Sequence, residues 1–395
     1  MATCATGLRV ERAPRQGIRE TWPNVSPMTP RERLLRAFRI QEVDRFPIHI
    51  RGVRPWDEEW VASRHPSYAR LVEAVRDLCD WCAAVGFGDM PFLTAHHVPV
   101  ETRVTSGPDW ELHETTYQTP LGPLHFSYNV SAGGHPGMTK EFLVKTGEDV
   151  RRLLSIPYER LRPDIAPYRE LESKVGERGI VLASFPNPLG HVHDCLGSQL
   201  LALWSMTDRH LILELLEAFA ERVSDLVSYL LDRGVRLFAT AGHEYAGPPL
   251  LSPADFREFC TRVERPIVQR IRERGGLLHI HCHGPMRAIL DEFLEIGANC
   301  LHPVEPPPMG DITLAQAKKR IGHAICIEGN IQIGEIYSAE REEVIALAKA
   351  AIRDGSPGGG FILCPSASPY TPELTDRALT NYLAMIETGL REGER

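Results

Sequence analysis

The run Leu277-Leu278-His279-Ile280-His281-Cys282, closed by His283-Gly284 and answered after a helical stretch by a second apolar run at Cys300–Val304, decides how this chain is read. Six residues are too few for an ordinary helix, and a short apolar run with glycine at its end reads as a buried strand. Working outward, the same unit recurs. Candidate strands lie at Phe46–Ile50, Ile180–Phe185, Leu237–Ala241, Ala324–Glu328 and Gly360–Cys364, each followed by a helical stretch. One such helix is 340–353, with Val344, Leu347, Ala348 and Ala351 on one face. Alternation sustained this long implies parallel strands joined by crossovers. A further strand near Ala83–Asp89 brings the units to eight. The expectation is therefore a closed (β/α)8 TIM barrel, with an open doubly wound sheet as the alternative.

Residues 1–27 are rich in Arg, Pro and Thr without hydrophobic period and read as a mobile tail, leaving 28–395 as a single domain. Thr29 caps the first helix, Pro30 suits its first position and Glu32 completes a capping box; Leu34, Leu35 and Phe38 form its buried face. Around 100–130 the pattern breaks. Trp110–Tyr117 alternates, and Thr119-Pro120-Leu121-Gly122 reads as a turn, so a β-hairpin insertion is expected there.

The chain has 395 residues, 43% of them hydrophobic and 24% charged, with a net charge of −8. That length suits a barrel core of roughly 250 residues plus insertions. Net negative charge argues against a nucleic-acid or anionic membrane surface. No apolar run approaches the roughly 18 residues of a membrane span. The first residues lack the apolar segment of a secretory signal. Nine cysteines without paired spacing fit free thiols, so a cytoplasmic location is expected.

Side chains alternate along a strand, so His279, His281 and His283 share a face. At the C-terminal end of a barrel strand, His281 and His283 stand where barrel enzymes build their sites, and two imidazoles so spaced can hold one metal ion such as zinc. The bland alternative is buried histidines bonded to backbone. Glu244, in Gly242-His243-Glu244-Tyr245 after the preceding strand, is a candidate third ligand or a loop-bracing carboxylate. His193, Glu305 and Glu328 read as further polar groups at strand ends, and Cys364 closes the last strand. No phosphate-cradling loop or nucleophile elbow is present.

With these residues quoted, the chain resembles the uroporphyrinogen decarboxylase superfamily from about Thr29 to Gly389. The resemblance rests on Thr29-Pro30-Arg31-Glu32-Arg33-Leu34, Thr119-Pro120-Leu121-Gly122, 252–259 (Ser252-Pro253-Ala254-Asp255 onward), Ile327-Glu328-Gly329-Asn330-Ile331, Gly359–Leu363 and Tyr370-Thr371-Pro372. Two branches compete. The metal-free decarboxylases hold a carboxylated tetrapyrrole with two arginines four apart. Here Arg51 and Arg54 stand three apart, their aspartate would fall at Asp89, and their late histidine at Ala367. The zinc methyltransferases that work with corrinoid proteins carry a His-x-Cys pair, which here is His281-Cys282-His283, and a later cysteine near Ala367, with Cys364 close by. The second branch implies zinc held by Glu244, His281 and His283, with Cys364 as a further candidate, and a corrinoid on a partner protein. Glu305, His193 and Glu328 would orient or protonate a small-molecule substrate contacted by Arg51, Arg54, Tyr245 and Asn330. The resemblance also implies a homodimer. The remaining readings are a cofactor-free decarboxylase and a non-catalytic binding subunit.

Overall fold

The computed structural model describes residues 28–88, 92–132 and 137–393, so the 1–27 tail and Asp89 lie outside the described residues. The strands are β1 (Trp81–Gly86), β2 (Val100–Ser106), β3 (Trp110–Thr119), β4 (Gly122–Ser131), β5 (Met138–Glu141), β6 (Gly179–Ser184), β7 (Leu237–Ala241), β8 (Leu277–Cys282), β9 (Cys300–Pro303), β10 (Cys326–Ile331) and β11 (Phe361–Pro365). Seven form one curled parallel sheet in the order β1-β6-β7-β8-β9-β10-β11.

Most expected strands stand within two residues of their place. The run at Ala324–Glu328 shifts forward to Cys326–Ile331. At its start, the Ala324 and Ile325 amides bond back to the Ile321 carbonyl at the end of the preceding helix. At its end, Gly329, Asn330 and Ile331 keep their register with Leu363, Cys364 and Pro365. Glu328 consequently lies within a strand, not at its end. The 46–50 run pairs through one parallel bridge, Ile48 to Leu363. His49 N donates to Leu363 O and Leu363 N to Pro47 O, both at 2.9 Å, while Asp80 N donates to Ile48 O at 2.8 Å. This segment thus bonds β11 at one edge of the sheet and, at the other, Asp80, the residue that leads into β1.

Strand alternation sorts the core into two sets. Val181 and Ala183 pack with the surrounding helices, whereas Ile180 and Leu182 join Leu237, Leu277, Cys300, Cys326 and Ile362 in a separate interior cluster. Leu34, Ala37 and Phe38 complete that cluster. Its members lie toward the N-terminal ends of their strands, so the helix Pro30–Phe38 plugs that end of the sheet and leaves the other end for chemistry. Thr29 Oγ1 accepts from Glu32 N at 3.1 Å as expected. The reciprocal half of the capping box is absent because Glu32 pairs with Arg36. The helix Arg341–Gly355 buries Val344, Ala348 and Ala351, but Leu347 is 39% exposed.

The insertion is larger than a hairpin: β2-β3-β4-β5 form a four-stranded antiparallel sheet. Pro120-Leu121 makes the two-residue turn between Thr119 and Gly122, where Gly122 takes a φ of +121°. Among the described residues no helix is long and apolar enough to cross a membrane.

The fully buried Asp80 carboxylate ties this base together. It accepts from Arg33 (2.5 Å), Arg45 (2.8 Å) and the Ile48 amide (2.8 Å). Asp80→Ala leaves the Ile48 amide without its acceptor, Arg45 without its carboxylate and Arg33 with Asp44 as its remaining carboxylate, and should cost about 3–5 kcal/mol in urea unfolding. A loss below about 1 kcal/mol, the worth of an exposed pair, would show that Asp80 is no clamp.

Candidate functional site

The strand interior above the plug is polar. Glu328 on β10 is 1% exposed and is flanked by two imidazoles: His49 Nδ1 lies 2.5 Å from its Oε1 and His279 Nε2 2.7 Å from its Oε2. Burial alone would raise the pKa of this carboxyl. His49 and His279, by charge and hydrogen bond, outweigh burial and hold it well below the usual carboxylate range.

One level up, on β9, His302 is fully buried and its Nε2 donates to the Pro365 carbonyl at 3.0 Å. Burial, reinforced by the Arg51 charge, holds His302 neutral, its pKa well below the usual imidazole range. A neutral ring that donates through Nε2 must accept through Nδ1. The contact at that atom is His281 Nδ1, at 2.8 Å. His281 therefore donates through Nδ1 and carries its lone pair on Nε2. Burial first, then the Arg51 charge, lowers the His281 pKa and keeps that lone pair free of a proton at neutral pH.

The neighbouring His283 repeats this arrangement with a carboxylate. Its Nδ1 lies 3.2 Å from Glu305 Oε2, which also accepts from Gly284 N at 2.9 Å. Burial would raise the Glu305 pKa, but the His283 and Gly284 bonds prevail and lower it. His283 thereby carries a proton on Nδ1 toward Glu305, and its Nε2 is the ring nitrogen turned away from that carboxylate. The two rings stand with centroids 4.5 Å apart.

Two adjoining cavities open here. One, of about 360 Å³, is lined by His49, Arg51, His279, His281 and Ser368; the other, of about 280 Å³, by Asp194, Glu244 and Tyr245, and both touch Ser184 and Ala241. Glu244 sits on the 3-10 turn His243–Ala246 after β7, and its Oε2 is buried without a hydrogen-bond partner. Arg51 is half-buried, and among the described residues its side chain has no ion pair or hydrogen bond.

The remaining expected residues disperse. Arg54 lines the larger cavity but is exposed and faces Asp57 at 3.9 Å. His193 is not at a strand end: it lies in the helix Pro188–Thr207, bonds Ser198 Oγ at 2.9 Å and stacks flat on Tyr245 with centroids 3.5 Å apart. Asn330 spends its amide on the Val304 carbonyl, away from the larger cavity. Cys364 is buried, 3.8 Å from His49 Nδ1 and 3.7 Å from His302 Nε2. Burial raises its pKa, so it is a neutral thiol.

Among the described residues, two groups of three place potential metal-ligating atoms within 4.8 Å of one another: His49–Glu328–Cys364 and His279–Cys300–Glu328. Both are compatible with a metal, and Cys364 belongs to one. Glu244, His281 and His283 belong to neither. Sequence reading overlooked His49 and His302 as site residues. Their signal was available, since alternation along the 46–50 run and along β9 gives each a definite face, but a lone histidine on an apolar strand carries no role until its partner is known.

This arrangement sits in a chain whose residues 128–384 match the family model described as uroporphyrinogen decarboxylase (URO-D). The chain belongs to the uroporphyrinogen decarboxylase family. It is 23% identical to the uroporphyrinogen decarboxylase of Nostoc punctiforme over 368 residues, which cover 88% of this chain and 94% of that protein. Its fold is similar to that of a methyltransferase from Methanosarcina mazei, with a TM-score of 0.58 and 17% identity over 92% of this chain and 99% of that one. The fold is thus shared, and in this chain β8 and the residue that follows it carry His281 and His283.

The pKa directions fix a pH dependence. His302 and His281 remain neutral in the fold while an unfolded imidazole takes up a proton below its ordinary value of 6.5, so stability falls as pH drops through that range. Glu328, depressed in the fold, adds stability that is present above the ordinary 4.5 and is lost as pH falls below it. Denaturation midpoints measured across pH should decline below about 6.5 and more steeply below about 4.5. Glu328→Gln should flatten the lower limb; an unchanged lower limb would contradict the assignment.

Proposed function

We propose that this chain is a metal-dependent methyltransferase of the family, exchanging a methyl group between a small anionic substrate and a corrinoid carried by a separate protein. The observation that carries the reading is the pair of imidazoles His281 and His283, whose Nδ1 atoms are engaged by His302 and Glu305, leaving the Nε2 atoms as the ring nitrogens that could face an ion. Metal-ligating histidines are held by a hydrogen bond at the other ring nitrogen. The unpartnered, buried Oε2 of Glu244 supplies the charge such a site lacks. By donor type, imidazole and carboxylate together suit a divalent ion of the zinc type, while among the described residues these three are not among the groups whose ligating atoms lie within 4.8 Å of one another. Cys364, a neutral thiol tied to the deeper His49 and Glu328 group, stands outside this ligand set.

Zinc bound there would serve as a Lewis acid, lowering the pKa of a substrate thiol or oxygen. The chain's own residues do the rest. His302 and Glu305 fix the ligand tautomers. Arg51, unpaired in the larger cavity, binds the anionic part of the substrate. Glu328 locks His49 and His279 into the wall of the larger cavity, and Tyr245, with His193 stacked on its ring, lines the smaller one. The backbone bonds of Pro47, Ile48 and His49 to β11 and to Asp80, the residue that leads into β1, support reading that segment as the eighth strand of a closed barrel. The unpaired described cysteines agree with a cytoplasmic setting.

A second reading has its own support. An unpaired arginine facing imidazoles also suits a carboxylated substrate in a metal-free decarboxylation, the activity named for the Nostoc relative.

Elemental analysis of untagged protein decides between them. The expected result is one zinc per chain, lost in His281→Ala together with turnover, and bound about 10–100-fold more weakly in His302→Ala. Protein that neither carries metal nor takes it up on titration removes the methyltransferase reading. Release of carbon dioxide from a carboxylated tetrapyrrole would then be the assay.

A further inference from the structure

The loop after β7 that carries Glu244 into the smaller cavity is held from behind by three buried polar side chains. His243, one residue before Glu244, and Asn187 are fully buried, and Glu264, on the helix Arg262–Glu273, is 3% exposed. His243 Nε2 lies 2.7 Å from Glu264 Oε2, and its Nδ1 lies 3.2 Å from Asn187 Nδ2. Asn187 Oδ1 accepts from Gly190 N at 2.5 Å, so the amide nitrogen is the group left for His243. An amide nitrogen only donates. His243 therefore accepts at Nδ1 and donates through Nε2 to Glu264.

This line of bonds joins both walls of the smaller cavity. Asn187 caps the helix Pro188–Thr207, whose Gly190 and Asp194 line one side, and His243 opens the turn whose Glu244 and Tyr245 line the other. His243–Ala246 is a 3-10 turn, in which successive side chains diverge by about 120°. The His243 ring is turned into the helix layer, with centroids 5.9 Å from Phe293 and 6.5 Å from Phe256, so Glu244 is directed to the cavity. The turn has little room to swing at its start. Gly242 takes a φ of +104°, and a Cβ there would lie 3.3 Å from Gly190 Cα and 3.3 Å from the Tyr245 ring. A ring bonded at both nitrogens thus fixes the direction of the residue that follows it.

Stability does not account for this arrangement. Glu264 Oε1 is buried and has no hydrogen-bond partner among the described residues. Burying a carboxylate with one oxygen unmet costs free energy that a single bond to His243 does not return. We propose that Glu264 is a positioning residue, which acts through His243 to aim Glu244 at an ion shared with His281 and His283. The inference rests on the metal reading of Glu244 given above and extends it to a residue that lines neither cavity. What Glu264 supplies is reach: its carboxyl ends where the His243 ring must be held.

Titration of metal-free, untagged protein with zinc in competition with a chromophoric chelator tests this, and thermal melting of the same samples reports folding. Glu264→Gln keeps the length of the side chain and an oxygen that accepts from His243, and should bind zinc within about threefold of wild type. Glu264→Asp keeps the charge but ends one bond short, and Glu264→Leu removes the acceptor; both should bind zinc about tenfold more weakly or worse. A role for charge alone predicts the reverse order for Glu264→Gln and Glu264→Asp. The proposal is overturned, with the metal reading intact, if Glu264→Leu and Glu264→Asp bind zinc as tightly as wild type, or if Glu264→Gln binds no more tightly than Glu264→Asp. Wild-type protein that takes up no zinc overturns the metal reading and the proposal with it. Should Glu264→Leu fail to fold, Glu264→Gln and Glu264→Asp decide.

Discussion

A carboxylate buried at 1% exposure is sustained only by partners that repay its desolvation, and Glu328 has two. His49 reaches it from the segment bridging the sheet's edges and His279 from β8, so one side chain on β10 ties together three stretches far apart in sequence. Everything above it in the interior depends on that tie. The plug of Leu34, Ala37 and Phe38 closes the apolar end, with Phe38 stacked near His279 at 6.1 Å between centroids. The polar level begins where that ring meets Glu328.

Above this level the chemistry is set by proton bookkeeping within a chain of rings. The Pro365 carbonyl commits His302 to one tautomer, His302 commits His281, and Glu305 does the same for His283. Burial and the Arg51 charge keep the His302–His281 pair neutral, which is the state in which an imidazole binds metal. The unpaired Arg51 suppresses protonation of these rings and lines the larger cavity. The thiols take no part as anions, because burial raises the pKa of Cys282, Cys300 and Cys364.

Most of the parallel sheet was legible because short apolar runs between glycines and helices leave little choice of structure. The exception at Ala324–Glu328 shows the limit: the apolar pattern finds the strand, but pairing with β11 and the turn after Ile321 set its ends. The insertion was seen as a hairpin because Met138–Glu141 has too little hydrophobic alternation to announce β5. The place of His281, His283 and Glu305 at strand ends was legible from the strand pattern. Glu328, read there as a catalytic group at the mouth, is an internal strut, and Asn330 and His193 are held by local bonds. His49 and His302 acquire meaning only from partners 279 and 21 residues away, which no local pattern reports.

The central claim is the tautomeric state of His281 and His283. Long-range proton–nitrogen NMR of protein labelled at its histidine ring nitrogens reads that state directly, with His281→Gln and His283→Gln assigning the signals. His281 should be a neutral Nδ1–H tautomer at neutral pH and His283 should carry a proton on Nδ1, and in His302→Ala the His281 signal alone should lose its preference. An Nε2–H tautomer or an imidazolium at His281 in the wild-type protein would contradict the account.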